Sequence, residues 1–210
     1  MGETRLAKQI WRFNLKNYHF KRRNSKQIHV GAVKIGGLAP VSIQSMTNTK
    51  TEDVESTLQQ IEQLAALGCE IIRVAIPHEE AAKALKKLIK LSPIPVIGDI
   101  HFDHRLALAA IAAGVDGIRI NPGNIGGAEQ VRQVASAAKE RKIAIRVGSN
   151  MGSLDKEAEK RYGRTAQALA ESALRQVKLI EDCGYGQIKV SVKASSPPMM
   201  IEANRLVAQQ

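Results

Sequence analysis

Past residue 26 the chain alternates between two patterns. Short runs of apolar, largely β-branched residues are followed by longer stretches in which apolar residues recur every three or four positions. The short runs fall at 41–46, 70–76, 94–99, 117–120, 143–147 and 187–192. Their apolar character is nearly continuous, as expected of parallel strands covered on both faces. The longer stretches have the period of amphipathic helices. Val54, Leu58, Ile61 and Leu64 mark the first, and Ala166, Leu169, Ala170, Ala173, Leu174 and Val177 mark the fifth. Gly68, Gly114 and Gly184 stand where helix C-caps belong, and Thr51 or Asp53 is placed to cap the first helix. Six strand–helix units in succession predict an α/β protein, either a barrel or a doubly wound sheet.

Ahead of the first unit, 27–33 and 34–40 read as a small hairpin, with Gly31 and the Gly36-Gly37 pair supplying turns. Such a hairpin can plug the N-terminal end of a barrel. No linker or low-complexity stretch divides the remainder, and 197–207 reads as the last helix. A closed (β/α)8 barrel needs eight units and about 250 residues. The expected fold is therefore an incomplete TIM (β/α)8 barrel of about six units preceded by the hairpin.

Composition adds bounds. The 210 residues are 44% hydrophobic and 24% charged, ordinary for one soluble domain with a sizeable core. The apolar runs are far shorter than the roughly 20 residues a membrane span needs. Cys69 and Cys183 are far apart and lack CxxC or Cys/His spacing. A disulfide scaffold or a zinc site built from this chain is excluded as a leading reading, and free thiols fit the cytoplasm. The net charge of +11 is concentrated in residues 1–26, where Arg5, Lys8, Arg12, Lys16, Lys21, Arg22, Arg23 and Lys26 face Glu3 alone. Trp11, Phe13, Tyr18 and Phe20 lie in the same arm. Without an apolar run after the charges it is not a secretory signal, and a transit peptide fits poorly. It reads as a partly ordered terminal arm, dispensable for folding of the 27–210 barrel part.

The informative residues are polar ones inside strands. Arg73, Arg119 and Arg146 each interrupt an apolar run near its C-terminal end. A guanidinium in a doubly covered strand must be paired or point into a lumen, because burying it alone costs several kcal/mol. In α/β barrels that end of the strands carries the active site. Alternation places Asp99 with His101, Arg119 with Asn121, and Lys189 with Ser191, Lys193 and Ser195. Arg73, Arg119, Arg146 and Lys193 against Asp99 make a positive pocket, suited to an anion and most naturally a diphosphate. The glycine-rich 121–127 turn offers backbone N–H groups at the start of the fourth helix. Several positions stay open between two readings. His101 is either functional or bonded to Asp103, and Lys189 is either a ligand or a paired, solvated residue. The 44–49 segment is a site loop or a cap cluster. Met199-Met200 reads as helix packing, and Lys83–Lys90 as a solvated helix face.

The stretches VSIQSMTNT (41–49), EIIRVAIP (70–77), GDIHFD (98–103), IRINPGNIG (118–126), IRVGSNMGSL (145–154) and VSVKAS (190–195) together resemble the 4-hydroxy-3-methylbut-2-enyl diphosphate synthase family. The resemblance runs from about residue 22 to 198 and implies a TIM-barrel lumen that holds 2-C-methyl-D-erythritol 2,4-cyclodiphosphate for reductive opening in non-mevalonate isoprenoid biosynthesis. It implies Arg73, Arg119, Arg146, Asn150 and Lys193 as substrate-binding residues, with Asp99, His101 and Asn121 as catalytic residues around the ring. It further implies a [4Fe–4S] cluster held by three Cys and a Glu on a C-terminal domain, ferredoxin or flavodoxin as electron donor, and a homodimer in the full-length enzyme. Neither Cys69 nor Cys183 matches the cluster motif, and the last two barrel units have no counterpart. The chain is therefore expected to be the N-terminal, substrate-binding part, inactive in isolation, with no metal ligands of its own.

Two other readings are weighed. A basic, aromatic arm can contact phosphates and stack on bases, which makes a nucleic-acid-binding protein an alternative, although no binding motif follows it. Another phosphate-binding barrel, such as an aldolase or a pterin-pathway enzyme, shares the fold without the six motifs. A Schiff-base lysine would mark an aldolase, with Lys193 the strand-end candidate.

Overall fold

The computed structural model describes residues 23–121 and 125–210 and contains all six strand–helix units. An antiparallel hairpin, β1 (Ile28–Val30) and β2 (Val33–Ile35), comes first. The parallel strands β3 (Gln44–Met46), β4 (Ile71–Ile76), β5 (Val96–Ile100), β6 (Gly117–Ile120), β7 (Ala144–Asn150) and β8 (Ile188–Lys193) then pair in sequence order. Helices α1 (Val54–Ala66), α2 (Glu79–Leu91), α3 (His104–Ala113), α4 (Ala128–Arg141), α6 (Ala166–Glu181) and α7 (Pro197–Ala208) follow successive strands. A short extra helix, α5 (Lys156–Tyr162), precedes α6.

Local chemistry explains these elements. Asp53, Asp103 and Thr165 accept backbone N–H groups at the starts of α1, α3 and α6, and Gly114 closes α3 in the left-handed conformation. Thr51, the other candidate for the first cap, instead donates its hydroxyl to the Ala75 carbonyl at 2.6 Å. Lys83, Lys86, Lys87 and Lys90 lie on the exposed face of α2, while Ala81, Leu85 and Leu88 are buried.

Alternation divides each strand between two environments. Ile72, Val74, Ile76, Ile118, Ile120, Ile145 and Val147 join the helices in the main core. The other face carries the lumen. At its N-terminal end, Ile28 and Val30 of the hairpin pack on Ile71, Ile97 and Ala144, which lie at or next to the first residues of β4, β5 and β7. The hairpin thus plugs that end. Its docking demands Gly31: φ is +54°, and an added Cβ would meet Pro95 Cγ at 2.8 Å.

Several boundaries differ from the sequence pattern. The hairpin turns at Gly31-Ala32, where Val30 pairs with Val33, so its arms are shorter than 27–33 and 34–40. β3 is confined to Gln44–Met46; Val41 and Ile43 are exposed because none of the described residues packs over them. β5 begins after Pro95, which has no N–H to donate. β7 runs on through Gly148 to Asn150 because its ladder with β8 continues to Lys193. α5 has no counterpart in the apolar pattern of the sequence; Asp155 caps it by accepting from Glu157 and Ala158 N–H.

Most of the basic arm, residues 1–22, lies outside the described residues. Of its last four residues, Arg23 donates to the Ala208 carbonyl at 2.6 Å and Ser25 Oγ accepts from Gly37 N–H, tying that end to the body. Among the described residues no helix is long and apolar enough to cross a membrane.

Candidate active site

The sheet curls far enough for long side chains of its two outer strands to meet across the lumen: Lys189 on β8 donates to Gln44 Oε1 on β3 at 3.2 Å. Into this concavity β4, β5, β6 and β7 project Arg73, Asp99, Arg119 and Arg146. The parallel register sets Asp99 beside Arg119 and Arg119 beside Arg146, while Arg73, two residues earlier in the β4–β5 register, reaches Asp99 through its side chain.

Asp99 is the hub. Its carboxylate is 3% exposed and pairs with Arg73 Nε through Oδ2 and with Arg119 Nη1 through Oδ1, each at 3.3 Å. The Arg73 guanidinium also lies 3.1–3.3 Å from the Met46 sulfur, and Arg119 Nη2 donates to the Gly148 carbonyl at 3.4 Å. Arg146 has no carboxylate partner among the described residues and donates to Ser191 Oγ at 3.0 Å. Burial, with Arg73 and Arg119 nearby, lowers its pKa even though Asp99 pulls the other way. Beside it, the Lys189 ammonium is pushed down to about 8 by burial, Arg146 and Arg73. One carboxylate therefore faces four cations, an excess that invites an anion.

The rim above holds the remaining candidates. His101 Nε2 lies 3.6 Å from Asp99 Oδ2, so its partner is Asp99 and not Asp103. Asp103 is engaged elsewhere, capping α3 and pairing with Arg105. Asn121 is buried and donates from Nδ2 to Ser153 Oγ at 2.7 Å. Asn150 and Lys193 pair in register at the ends of β7 and β8, where Lys193 is exposed. Of the glycine-rich turn, Pro122, Gly123 and Asn124 lie outside the described residues. Gly127 caps α4 without a side-chain bond.

The structure thus gathers Arg73, Arg119 and Arg146 around Asp99 and sets His101, Asn121, Asn150 and Lys193 toward the C-terminal rim. Of the two readings left open for Lys189, the structure pairs it with the neutral Gln44 side chain, and Ser191, placed on the same face by alternation, holds Arg146. The 44–49 segment brings Gln44 and Met46 into the lumen. Gly148 and Ser153 are residues the sequence did not single out, because their roles depend on Arg119 and Asn121 of the neighbouring unit.

No group of three or more His, Cys, Asp or Glu that could hold a metal ion exists among the described residues. Cys69 is buried, with Sγ donating to the Ile71 carbonyl at 3.1 Å; Cys183 Sγ donates to the Leu179 carbonyl at 3.3 Å. Both precede their strands, at the plugged end. These residues do not fit an iron–sulfur cluster, which takes about four ligands, mostly Cys.

Residues 25–210 match the family model of the GcpE TIM-barrel domain. Among curated proteins the chain is similar to 4-hydroxy-3-methylbut-2-en-1-yl diphosphate synthase (flavodoxin) of Geobacter sulfurreducens, 53% identical over 190 residues, 90% of this chain and 54% of that protein. The protein of the same name from Aquifex aeolicus is 51% identical over 191 residues, 90% of this chain and 54% of its own. The chain spans about half the length of the curated relatives it matches. Among solved structures it resembles the phospho-2-dehydro-3-deoxyheptonate aldolase of Thermotoga maritima, with a TM-score of 0.59 at 15% identity over 88% of this chain and 53% of that one. The dihydropteroate synthase of Yersinia pestis gives 0.60 at 9% identity over 87% and 69%. At such identities the likeness shows the fold alone.

Proposed function

Because this chain belongs to the GcpE TIM-barrel domain family, we propose that its lumen binds 2-C-methyl-D-erythritol 2,4-cyclodiphosphate as the substrate-holding part of a 4-hydroxy-3-methylbut-2-en-1-yl diphosphate synthase. The observation that carries this reading is the convergence of Arg73, Arg119 and Arg146 on a lumen where, among the described residues, the one carboxylate in contact with them, Asp99, engages only two.

The residues divide the work by their contacts. Asp99 fixes the Arg73 and Arg119 guanidinium groups, so little ordering remains to be done when an anion arrives. Arg146, held by the neutral Ser191 hydroxyl, keeps its full charge for phosphate oxygens. Asn150 and Lys193 extend the anion site to the rim. His101, set above Asp99, and Asn121, oriented by Ser153, face the sugar ring as proton-handling and hydrogen-bonding groups. The reduction needs an electron-carrying group, because side chains of these types do not deliver electrons. The described residues include no ligand set that fits such a group. In the same reading the donor is flavodoxin, the term in the relatives' names, the setting is cytoplasmic, and the working enzyme is a homodimer.

Calorimetric titration of the full chain with the cyclodiphosphate tests this. Binding should weaken roughly 10- to 100-fold in Arg146→Met, the loss of a charged hydrogen-bonding partner. Unchanged affinity in that variant would overturn the assignment of the lumen as the site.

A further inference from the structure

We propose that Lys189, held by Gln44, is a further anion-binding residue of the lumen, supplying charge that the three arginines alone do not. The inference rests on the anion-site reading above and deepens it.

Three observations carry it. Lys189 stands beside Arg146 in the β7–β8 register, on the face that also bears Ser191 and Lys193, so its side chain enters the lumen. Its only hydrogen-bond partner among the described residues is the neutral Gln44 side chain on the opposite outer strand, which positions the ammonium without neutralising it. Arg146 on β7 and Arg73 on β4 bear on it directly, and Asp99 on β5 is committed to Arg73 and Arg119. The cleft that Lys189 shares with Ile28 and Ile35 of the plugging hairpin also carries Asp155 before α5 and Glu171 and Glu181 on α6, none of which pairs with Lys189 among the described residues. A half-buried ammonium with a neutral partner beside two guanidinium groups is held against both desolvation and repulsion. An anion relieves both.

That arrangement has a consequence the arginines cannot produce. Guanidinium groups stay charged across the accessible pH range, whereas Lys189 loses its proton near pH 8. The lumen therefore holds its full cation set below that pH and one charge fewer above it. Anion affinity falls as pH rises, and a bound anion raises the lysine's pKa by linkage.

Sulfate, whose charge is constant over this range, is the probe, titrated calorimetrically into the full chain at pH 7 and pH 9.5. Wild type should bind about tenfold more weakly at the higher pH, given the loss of one near charge. Lys189→Met should be weak at both values, and Lys189→Arg should restore tight binding and remove the pH dependence. In 13C-labelled protein the Lys189 Cε resonance, assigned by its loss in Lys189→Arg, should titrate near pH 8 and move upward with sulfate. A merely structural bridge between β3 and β8 would lower the melting temperature of Lys189→Met but leave the pH profile of sulfate binding intact. That result overturns the proposal, as does a resonance that titrates at the ordinary lysine value or a wild type that binds no sulfate. The two readings separate cleanly. Cyclodiphosphate binding that ignores Lys189→Met refutes this inference alone. The expected sulfate pattern without cyclodiphosphate binding refutes the substrate assignment alone.

Discussion

Replacing Asp99 by Asn removes the one negative charge among Arg73, Arg119, Arg146 and Lys189 while keeping the side-chain shape. Two ion pairs at 3.3 Å are lost. Coulomb attraction at that separation is roughly 5 kcal/mol per pair at an effective dielectric of about 20. Most of this only offsets the cost of taking the ions out of water. Truncating one partner of a buried pair costs about 3–5 kcal/mol. The Arg73 and Arg119 side chains are still 22% and 14% exposed, so solvent takes up part of the freed charge. A loss of about 2–4 kcal/mol in unfolding free energy is therefore expected. Urea titration at low ionic strength measures it. Repeating the series with increasing sulfate is the sharper test. An anion in the lumen replaces the missing charge and stabilises the folded state by mass action, so the gap between variant and wild type should narrow. Chloride at matched ionic strength should narrow it less. A variant within about 0.5 kcal/mol of wild type, the range of an ordinary surface substitution, would refute the reasoning. So would a gap that sulfate leaves unchanged.

Two further outcomes follow from the geometry. An added Cβ at Gly148 would meet Arg119 Nε at 2.7 Å and Nη2 at 3.1 Å. Gly148→Ala should therefore displace that guanidinium, weakening calorimetric sulfate binding roughly tenfold or more while costing less than about 1.5 kcal/mol of stability, since a flexible side chain moves and the backbone does not. Tyr185 donates to the Ile143 carbonyl at 2.6 Å, and burial pushes its hydroxyl up to about 12. The raised folded value means its contribution is complete below about pH 10, where the unfolded phenol is protonated, and is lost as pH climbs toward 12. Tyr185→Phe should cost about 1 kcal/mol at neutral pH, and its stability curve should fall less steeply than that of wild type above pH 10.

The helix periods, the caps at Asp53 and Gly114 and the near-continuous apolar strands are local chemistry, and they were legible along the chain. So was the lumen face. An arginine between two isoleucines in a covered strand has nowhere else to go, and a two-residue alternation links it to its neighbours. The plug could be anticipated for a similar reason, because Ile28 and Val30 alternate with exposed residues and need an apolar surface to cover.

Tertiary structure decided the partners. His101 stands equally near Asp99 and Asp103 in sequence, but a capping bond and Arg105 occupy Asp103, leaving Asp99 as its neighbour. Val41 and Ile43 look like strand residues, yet their side chains stay exposed because no element among the described residues packs over that edge. Gly148 carries no chemistry of its own; its worth is the space and the carbonyl it gives Arg119, a residue 29 positions away. Lys189 shows the division most sharply. Its face follows from alternation with Lys193, but whether it is solvated, paired or held as a charge depends on Gln44, 145 residues distant, and on two arginines from other strands. A strand's own sequence fixes which way a side chain points, whereas the electrostatic environment there is a sum over every strand that curls around the same space.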